Sequence, residues 1–191
     1  MTVLAITQVG NPVLRRPARE VGVEELASPE IQRLIDDMIT TKRDANGAGI
    51  AAPQIDESLR IAVVEVGDNP RYPYKPRAAL TVIVNPTIEY LGEERYLNNE
   101  GCLSVPSIRG ELYRHVAIRV RALDRHGEPF VREVRGLTAG TFQHEVDHLE
   151  GKLFLDRVDD ARTFATWDEF HDRYESEFVE RIAPLVVEDE L

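Results

Sequence analysis

The sequence is short of cysteines, of long apolar runs and of basic residues. Cys102 is the only cysteine among 191 residues, so an intrachain disulfide is excluded and nothing points to secretion. No apolar run is long enough to cross a bilayer, and the first residues lack a basic leader. Lysines and arginines number 23 against 34 aspartates and glutamates, a formal net charge of -11, which disfavours direct nucleic-acid binding and anionic membranes. These absences predict a cytoplasmic protein with no membrane and no nucleic-acid partner.

The bulk composition is that of a soluble globular protein. Hydrophobic residues make up 42% and charged residues 30% of the chain, whose length suits one domain with its own core. We predict a single domain over residues 1–183, followed by an acidic tail over 184–191, whose last residues, Glu188-Asp189-Glu190-Leu191, are expected to be disordered. No exposed apolar stripe in the sequence requires a second subunit to cover it, so a monomer is expected.

Three helices are predicted from caps and apolar spacing. The first runs from about 29 to 43, with Ser28 as its N-cap. The second covers about 138 to 150 and ends at Gly151. The third covers roughly 160 to 182, where aromatic residues at spacings of three and four predict one face packed against the body. These aromatic residues are Phe164, Trp167, Phe170, Tyr174 and Phe178.

Strands are predicted in the middle of the chain. Residues 59–66 and 80–91 are rich in valine and isoleucine, and the proline-rich segment 67–77 between them predicts a surface loop. Residues 115–123 and 129–134 alternate around a tight turn and predict a hairpin. The expected fold class is α+β, with short, mostly antiparallel β-sheets around a central helix that binds metal, an N-terminal helix and a C-terminal helix.

The central helix carries the motif His144-Glu145-Val146-Asp147-His148, which reads H-E-x-x-H. Residues four apart share a helix face, so the two imidazoles can bind one metal ion while Glu145 lies beside it. Two neutral nitrogen ligands with a nearby carboxylate are typical of metal-assisted hydrolysis. Such sites have a third protein ligand, and its identity decides the chemistry.

Two kinds of third ligand remain open from the residues alone. Asp168 or Glu169, about twenty residues beyond the motif, would make a metallopeptidase. Cys102 would supply a thiolate, which suits zinc or ferrous iron. Because Asp168 and Glu169 alternate with aromatic residues of the third helix, they are expected on its solvated side. The expected exposure of Asp168 and Glu169 modestly favours Cys102 as the third ligand.

Three segments together resemble those of peptide deformylases, which remove the N-formyl group from nascent bacterial proteins. The likeness covers roughly residues 5 to 160, and the three motifs occur complete and in the family's order. The segments are Gly47-Ala48-Gly49-Ile50-Ala51-Ala52-Pro53-Gln54, Glu100-Gly101-Cys102-Leu103-Ser104 and His144-Glu145-Val146-Asp147-His148.

The resemblance implies a role for each of these positions. Cys102, His144 and His148 would bind one divalent metal ion, Fe2+ in the cell and Zn2+ or Ni2+ in purified protein. Glu145 would take a proton from the attacking water and return it to the leaving amine. The amide of Gln54 and the backbone N–H of Leu103 would stabilise the oxyanion.

The same resemblance implies that an N-formylmethionyl nascent peptide lies extended along Ala48, Gly49 and Gly101. Arg109 would lie near its backbone, although an exposed arginine is usually only solvated. Gly140 and Thr141 occupy positions where family members often carry larger apolar residues. We therefore predict a wider or shallower methionine pocket than usual, with weaker discrimination against bulky first residues.

The charge of the C-terminal region bears on whether the protein contacts the ribosome. From residue 164 to residue 191, nine acidic residues face two arginines, a local charge of -7. This sign is wrong for ribosomal RNA, so any transient ribosome contact is expected to be weak or to use another surface. Besides the metallopeptidase, one more alternative is a non-enzymatic metal-binding module. The presence of Glu145 and Gln54, which turnover needs and structure does not, weighs against it.

Overall fold

The computed structural model describes residues 1–187 and confirms the predicted α+β class. Two antiparallel sheets contact a central helix. The α-helices are α1 (Val23–Leu26), α2 (Pro29–Asp44), α3 (Gly136–Leu149), α4 (Trp167–Arg173) and α5 (Glu175–Ile182). The strands are β1 (Gly49–Ala51), β2 (Ile61–Val66), β3 (Ala78–Tyr90), β4 (Arg95–Cys102), β5 (Val105–His115), β6 (Ala117–Leu123), β7 (Pro129–Arg135) and β8 (Ala165–Thr166).

The larger sheet has the order β1-β2-β3-β6-β7, and the smaller has the order β4-β5-β8. Alternation along β2 sends successive side chains to opposite faces of the larger sheet. Ile61 and Val63 pack in the cluster formed with α2, whereas Ala62 and Val64 pack in the cluster formed with α3. The sheet is thus covered by a helix on each face, and α3 lies between it and the smaller sheet.

Helix α2 begins and ends almost where the sequence predicts. The Ser28 hydroxyl accepts a hydrogen bond from the backbone N–H of Ile31 at 3.3 Å, and Pro29 occupies the first turn. Helix α3 begins two residues before its predicted start. Gly136 there has a φ of +58°, and a side chain at this position would overlap the carbonyl of Leu185. The C-terminal segment therefore packs directly against the start of α3.

The hairpin of β4 and β5 is absent from the sequence-based interpretation, and it carries Cys102. Its strands pair from Arg95 with His115 to Cys102 with Val105, so the thiol lies at the turn. Both β1 and β4 are edge strands of their sheets. Their free edges lie on the two sides of the site described below.

The predicted single C-terminal helix is wrong. The chain forms α4 and α5, with a break at Tyr174, which is exposed. Phe170 and Phe178 are buried as expected, but Phe164 and Tyr174 are not. Residues 188–191, the last four residues of the predicted acidic tail, lie outside the described residues. Within residues 1–187, no helix has the length and apolar character needed to cross a membrane.

One ion-pair cluster outside the site leads to a pH-dependent stability prediction. Glu65 accepts hydrogen bonds from Arg43 and pairs with the buried Lys42 at 2.9 Å. The Arg43 guanidinium and the Lys42 ammonium outweigh burial and lower the pKa of Glu65 to about 2. The pKa is depressed on folding, so this stabilisation is present above about pH 4.5 and lost as pH falls toward 2. We expect Glu65→Gln to cost about 1–3 kcal/mol at pH 6, after allowance for solvent screening.

Urea unfolding of both proteins at pH 6 and at pH 3 measures this effect. The difference between wild type and Glu65→Gln should shrink at the lower pH. Glu128→Gln is the matched control, because Glu128 is exposed and makes no side-chain ion pair among residues 1–187. An equal destabilisation at both pH values would contradict the prediction.

Candidate active site and metal centre

The structure brings Cys102, His144 and His148 together. Their ligand atoms all lie within 4.8 Å of one another, and Cys102 Sγ is 3.3 Å from His148 Nε2. Helix α3 supplies both imidazoles from one face, and the last residue of β4 supplies the thiol. In the described part of the chain this is the one group of three such side chains placed to hold a metal ion. Asp168 and Glu169, the alternative third ligands, are exposed on α4 and lie outside it.

The chemistry of these three donors fits a divalent transition metal. One thiol and two imidazoles form a set that zinc and ferrous iron accept. Cys102 and His148 are buried. Burial, helped by the positive charge expected on His144, holds the pKa of His148 well below its usual range, which favours the neutral form that binds metal.

Glu100 orients His144. The Glu100 carboxylate lies 2.8 Å from His144 Nδ1, so the other ring nitrogen is left for the cluster. Burial lowers the pKa of His144, but the hydrogen bonds to Cys102 and Glu100 outweigh it and hold that pKa well above its usual range. A bound metal ion would replace this proton.

A buried arginine compensates the charge of Glu100. Arg114 donates hydrogen bonds to both carboxylate oxygens of Glu100, at 2.8 and 2.9 Å. It also donates to Asp147 at 2.6 Å, and Arg157 donates to the same oxygen of Asp147 at 2.7 Å. Burial would raise the pKa of Glu100, yet Arg114 and His144 hold it well below the usual range. Asp147 therefore supports His144 through Arg114 and Glu100, rather than by touching an imidazole.

Glu145 is buried beside the cluster. Its Oε2 has no hydrogen-bond partner among residues 1–187, and burial raises its pKa to about 7. A carboxyl group with such a pKa can both accept and release a proton near neutral pH. Gly49 on β1 lies directly against it, since a Cβ there would overlap the Glu145 carboxylate. Only glycine leaves room for Glu145 in this position.

Gln54 presents its amide N–H groups to the cluster. Its Oε1 accepts a hydrogen bond from the backbone N–H of Ala51 at 2.8 Å, which fixes the orientation of the amide. Its Nε2 lies 3.2 Å from the Ser104 hydroxyl and 3.5 Å from Cys102 Sγ. Leu103 lies at the turn between β4 and β5, next to the thiol. Both expected oxyanion donors thus lie beside Cys102.

Ala48, Gly49 and Gly101 line the same cavity, at the edges of β1 and β4. Arg109 also lines it, but the expectation of an exposed arginine is wrong. Its side chain is 1% exposed and stacks between Trp167 and Phe170, 4.1 and 4.2 Å from their ring centroids. It donates to the Asn99 side chain at 2.8 Å, and its Nη1 has no partner within residues 1–187.

The cavity over the cluster is small, about 50 Å³, whereas ligand pockets commonly measure about 300–1,000 Å³. Segment 67–77 closes it, so the prediction of a surface loop is wrong for the middle of this segment. Tyr72 is buried and packs on Trp167 at 5.8 Å between ring centroids, and Tyr74 packs on Phe178 at 5.4 Å. Helices α4 and α5 therefore meet this segment above the site.

The predicted widening at Gly140 and Thr141 does not occur. The Tyr96 hydroxyl occupies the space that a side chain at Gly140 would need. The Lys75 ammonium donates a hydrogen bond to the Thr141 hydroxyl at 2.9 Å and lies over the Tyr72 ring. The pocket beside α3 is consequently narrow and polar.

Sequence reasoning missed two functional neighbours, Lys75 and Arg114. Arg114 belongs to the unpredicted strand β5, where it is buried between the exposed Tyr113 and the half-buried His115. Lys75 follows Tyr-Pro-Tyr, and two tyrosines in a supposed surface loop were the available signal that the segment packs on something.

Comparisons with known proteins agree on one family. A family model described as Polypeptide deformylase matches residues 3–164. Peptide deformylase 2 of Nostoc sp. is 44% identical over 169 residues, covering 88% of this chain and 93% of the relative. Peptide deformylase of Desulfitobacterium hafniense is 42% identical over 158 residues, covering 83% and 96%.

Solved structures give the same result. A class I type b peptide deformylase from Acinetobacter baumannii, in a crystal structure with Met-Ala-Ser bound, superposes with a TM-score of 0.79 at 41% identity. The match covers 82% of this chain and 99% of that chain. A second structure of that enzyme has a TM-score of 0.80 and 40% identity, covering 83% of this chain and 100% of the other.

Proposed function

This chain belongs to the polypeptide deformylase family and is an enzyme that removes N-formyl groups, and we propose that Glu145, Gln54 and Leu103 carry out its chemistry beside a metal ion held by Cys102, His144 and His148. The observation that supports this assignment most directly is the unpartnered, buried carboxylate of Glu145 next to the cluster of three ligands. The proposed reaction converts a formamide and water into formate and a free α-amine.

Fe2+ is the proposed ion in the cell, with Zn2+ or Ni2+ as substitutes in purified protein. The thiol of Cys102 and the imidazoles of His144 and His148 are donors that suit all three. When bound, such an ion supplies Lewis acidity that polarises the formyl carbonyl and makes water a competent nucleophile near neutral pH.

The remaining steps belong to the residues of the chain. Glu145 takes the proton of the attacking water, and its pKa of about 7 then suits it to give that proton to the leaving amine. Gln54 Nε2 and the Leu103 N–H donate to the oxygen on which negative charge develops. Because the Gln54 Oε1 is already fixed by Ala51, the amide loses little freedom when it makes this bond.

The peptide is proposed to lie extended between the edges of β1 and β4, next to Ala48, Gly49 and Gly101. Free strand edges bind extended peptides through backbone hydrogen bonds, so this binding depends little on the sequence of the peptide. We propose N-formylmethionyl nascent chains as the peptides that are bound in this way. Arg109 is proposed to lie beside the bound peptide, where its buried guanidinium forms part of the cavity wall.

Formate release tests the proposed function. Protein prepared anaerobically, to protect a thiolate-bound ferrous site, should release one formate per formylmethionyl peptide consumed. Failure to release formate with Fe2+, Ni2+ or Zn2+ loaded in turn would refute the proposed reaction. Cleavage of an internal peptide bond instead would favour the metallopeptidase.

Replacing Cys102 tests the proposed third ligand. Cys102→Ala should weaken Zn2+ binding at least roughly 100-fold, because even residues that only orient a ligand often contribute that much. Competition with a chelator measures the affinity. Asp168→Ala and Glu169→Ala are the matched controls and should bind Zn2+ as the wild type does, since both side chains are exposed. Loss of metal in either control, with Cys102→Ala unaffected, would contradict the proposed ligand set.

The setting of the reaction is a further proposal. A monomer acting in the cytoplasm on nascent chains fits the net charge of -11. Helices α4 and α5 carry exposed acidic side chains, as the sequence predicts, so a transient ribosome contact is proposed to use another surface. The single catalytic domain is proposed to span residues 1–183, and the segment that follows adds a contact to it, since Leu185 packs against Gly136 at the start of α3.

A further inference from the structure

Lys75 places an unpaired cation in the cavity. Its ammonium has three donors, and the Thr141 hydroxyl accepts one of them at 2.9 Å. Within residues 1–187, no carboxylate lies within 4 Å of this nitrogen, and no second hydrogen-bond acceptor is present. Burial lowers the pKa of Lys75 to about 8, so it is still mostly charged at neutral pH. Lys75 is half-buried, and a cation held largely away from water without a counter-charge is costly unless a ligand supplies one.

Arg109 adds a second unsatisfied donor group to the same cavity. It is 1% exposed, and its Nη1 has no acceptor within the described chain. The carboxylates nearby do not cancel these two cations. Glu100 is already compensated by Arg114 and lies against His144, which leaves Glu145 as the one carboxyl group without a cationic contact. The cavity therefore has an excess of cationic donors.

The position of Lys75 relates it to the first residue of the substrate. Thr141, its partner, precedes Glu145 by one helical turn on the same face of α3, which corresponds to a rise of about 6 Å. A side chain that starts next to the reacting formamide and extends along α3 would end near the ammonium. Methionine offers only a weakly accepting thioether there.

We propose that this enzyme also deformylates N-formyl peptides whose first side chain ends in a carboxylate, and that Lys75 is the residue that selects them. This inference rests on the proposed function, because it assumes that the formamide lies between Glu145 and Gln54. The bond broken and the products, formate and a free amine, are unchanged. Arg109 Nη1 would be the second donor to the carboxylate.

Three amidated peptides test the proposal: formyl-Glu-Ala-Ser, formyl-Gln-Ala-Ser and formyl-Met-Ala-Ser. The amide removes the terminal carboxylate, so the first side chain is the one anionic group that differs. Metal-loaded wild type should have a higher kcat/KM for the glutamate peptide than for its neutral glutamine isostere, by roughly tenfold to a hundredfold. The same ratio, measured with peptides that have a free C-terminal carboxylate, shows whether that carboxylate competes with the first side chain for Lys75.

The variant Lys75→Met keeps an unbranched side chain and removes the charge. It should bring the glutamate-to-glutamine ratio close to one and raise kcat/KM for the methionine peptide. Thr141→Val removes the acceptor that positions Lys75 and should lower the ratio in part. Lys152→Met is the matched control, because Lys152 is exposed and lies outside the cavity, and it should keep the wild-type ratio.

A ratio that stays the same in Lys75→Met overturns the proposal, and would mean that segment 67–77 carries Lys75 away when substrate enters. Calorimetric binding of the products Glu-Ala-Ser and Gln-Ala-Ser, both amidated, to metal-loaded protein separates this result from failure of the proposed function. Binding that favours glutamate and depends on Lys75, without any formate release, would refute the reaction and keep the cation site. Equal binding of both products would refute the cation site alone.

Discussion

Glu145→Gln is expected to lower kcat for formate release by roughly 10²–10⁴-fold, the usual contribution of a positioned acid–base group. Glutamine has nearly the same shape, so the space against Gly49 stays filled. Glutamine cannot take a proton from water, because an amide group replaces the carboxylate whose Oε2 has no hydrogen-bond partner within residues 1–187. The variant should retain its metal, because Glu145 is not one of the three clustered ligands.

Metal content and kcat measured on the same samples check this expectation. Glu150→Gln is the matched control: it follows α3 directly and pairs with Arg60 near the protein surface, so its kcat should equal that of the wild type. A loss of metal in Glu145→Gln would show that Glu145 acts as a ligand. A kcat within a factor of about two of the wild type would remove Glu145 from the proposed mechanism.

Arg114→Met is expected to give the largest loss of stability, about 3–5 kcal/mol in the free energy of unfolding. Arg114 is buried and is hydrogen bonded to both Glu100 and Asp147. Removing it leaves Glu100 buried with a single cationic partner, His144, and Asp147 with only Arg157. Methionine can fill part of the volume, but it cannot donate a hydrogen bond to either carboxylate.

Urea unfolding of metal-free protein measures this loss without the contribution of a bound ion. Arg119→Met is the matched control on β6, the next strand along the chain, because Arg119 pairs with Glu89 and Glu133 near the surface and should matter much less. Metal affinity gives a second readout, since His144 would lose part of the support that fixes its ring. Similar losses of stability in both variants would contradict a special role for the buried network.

The sequence predicts the metal-binding and reacting residues of this site better than the residues that enclose its cavity. His144 and His148 lie four residues apart on a helix, so local geometry alone places them on one face. Helix α2 is similarly local, with Ser28 and Pro29 marking its start. The assignment of Cys102 over Asp168 needed a long-range fact, because the thiol comes from a hairpin turn some forty residues away. The family motif supplied what spacing could not decide.

The walls depend on contacts that no local pattern encodes. Lys75 and Tyr72 lie in a segment with three prolines, where turn chemistry correctly indicates a loop but not what the loop covers. The environment of Gly140 was misjudged for the same reason, because the hydroxyl that fills it comes from Tyr96 on the unpredicted strand β4. Arg109 is buried because Trp167 and Phe170, from a distant part of the chain, lie on both sides of its guanidinium.

The family model ends at residue 164, and the aromatic side chains of Trp167 and Phe178 lie just beyond that point. Part of the cover of the cavity thus lies beyond the matched residues, whereas the three motifs lie within them. Substitutions in the last stretch can reshape the entrance while the reacting groups stay unaltered. Exchange of residues 165–187 between relatives is therefore a natural route by which one deformylation centre could acquire different substrate preferences.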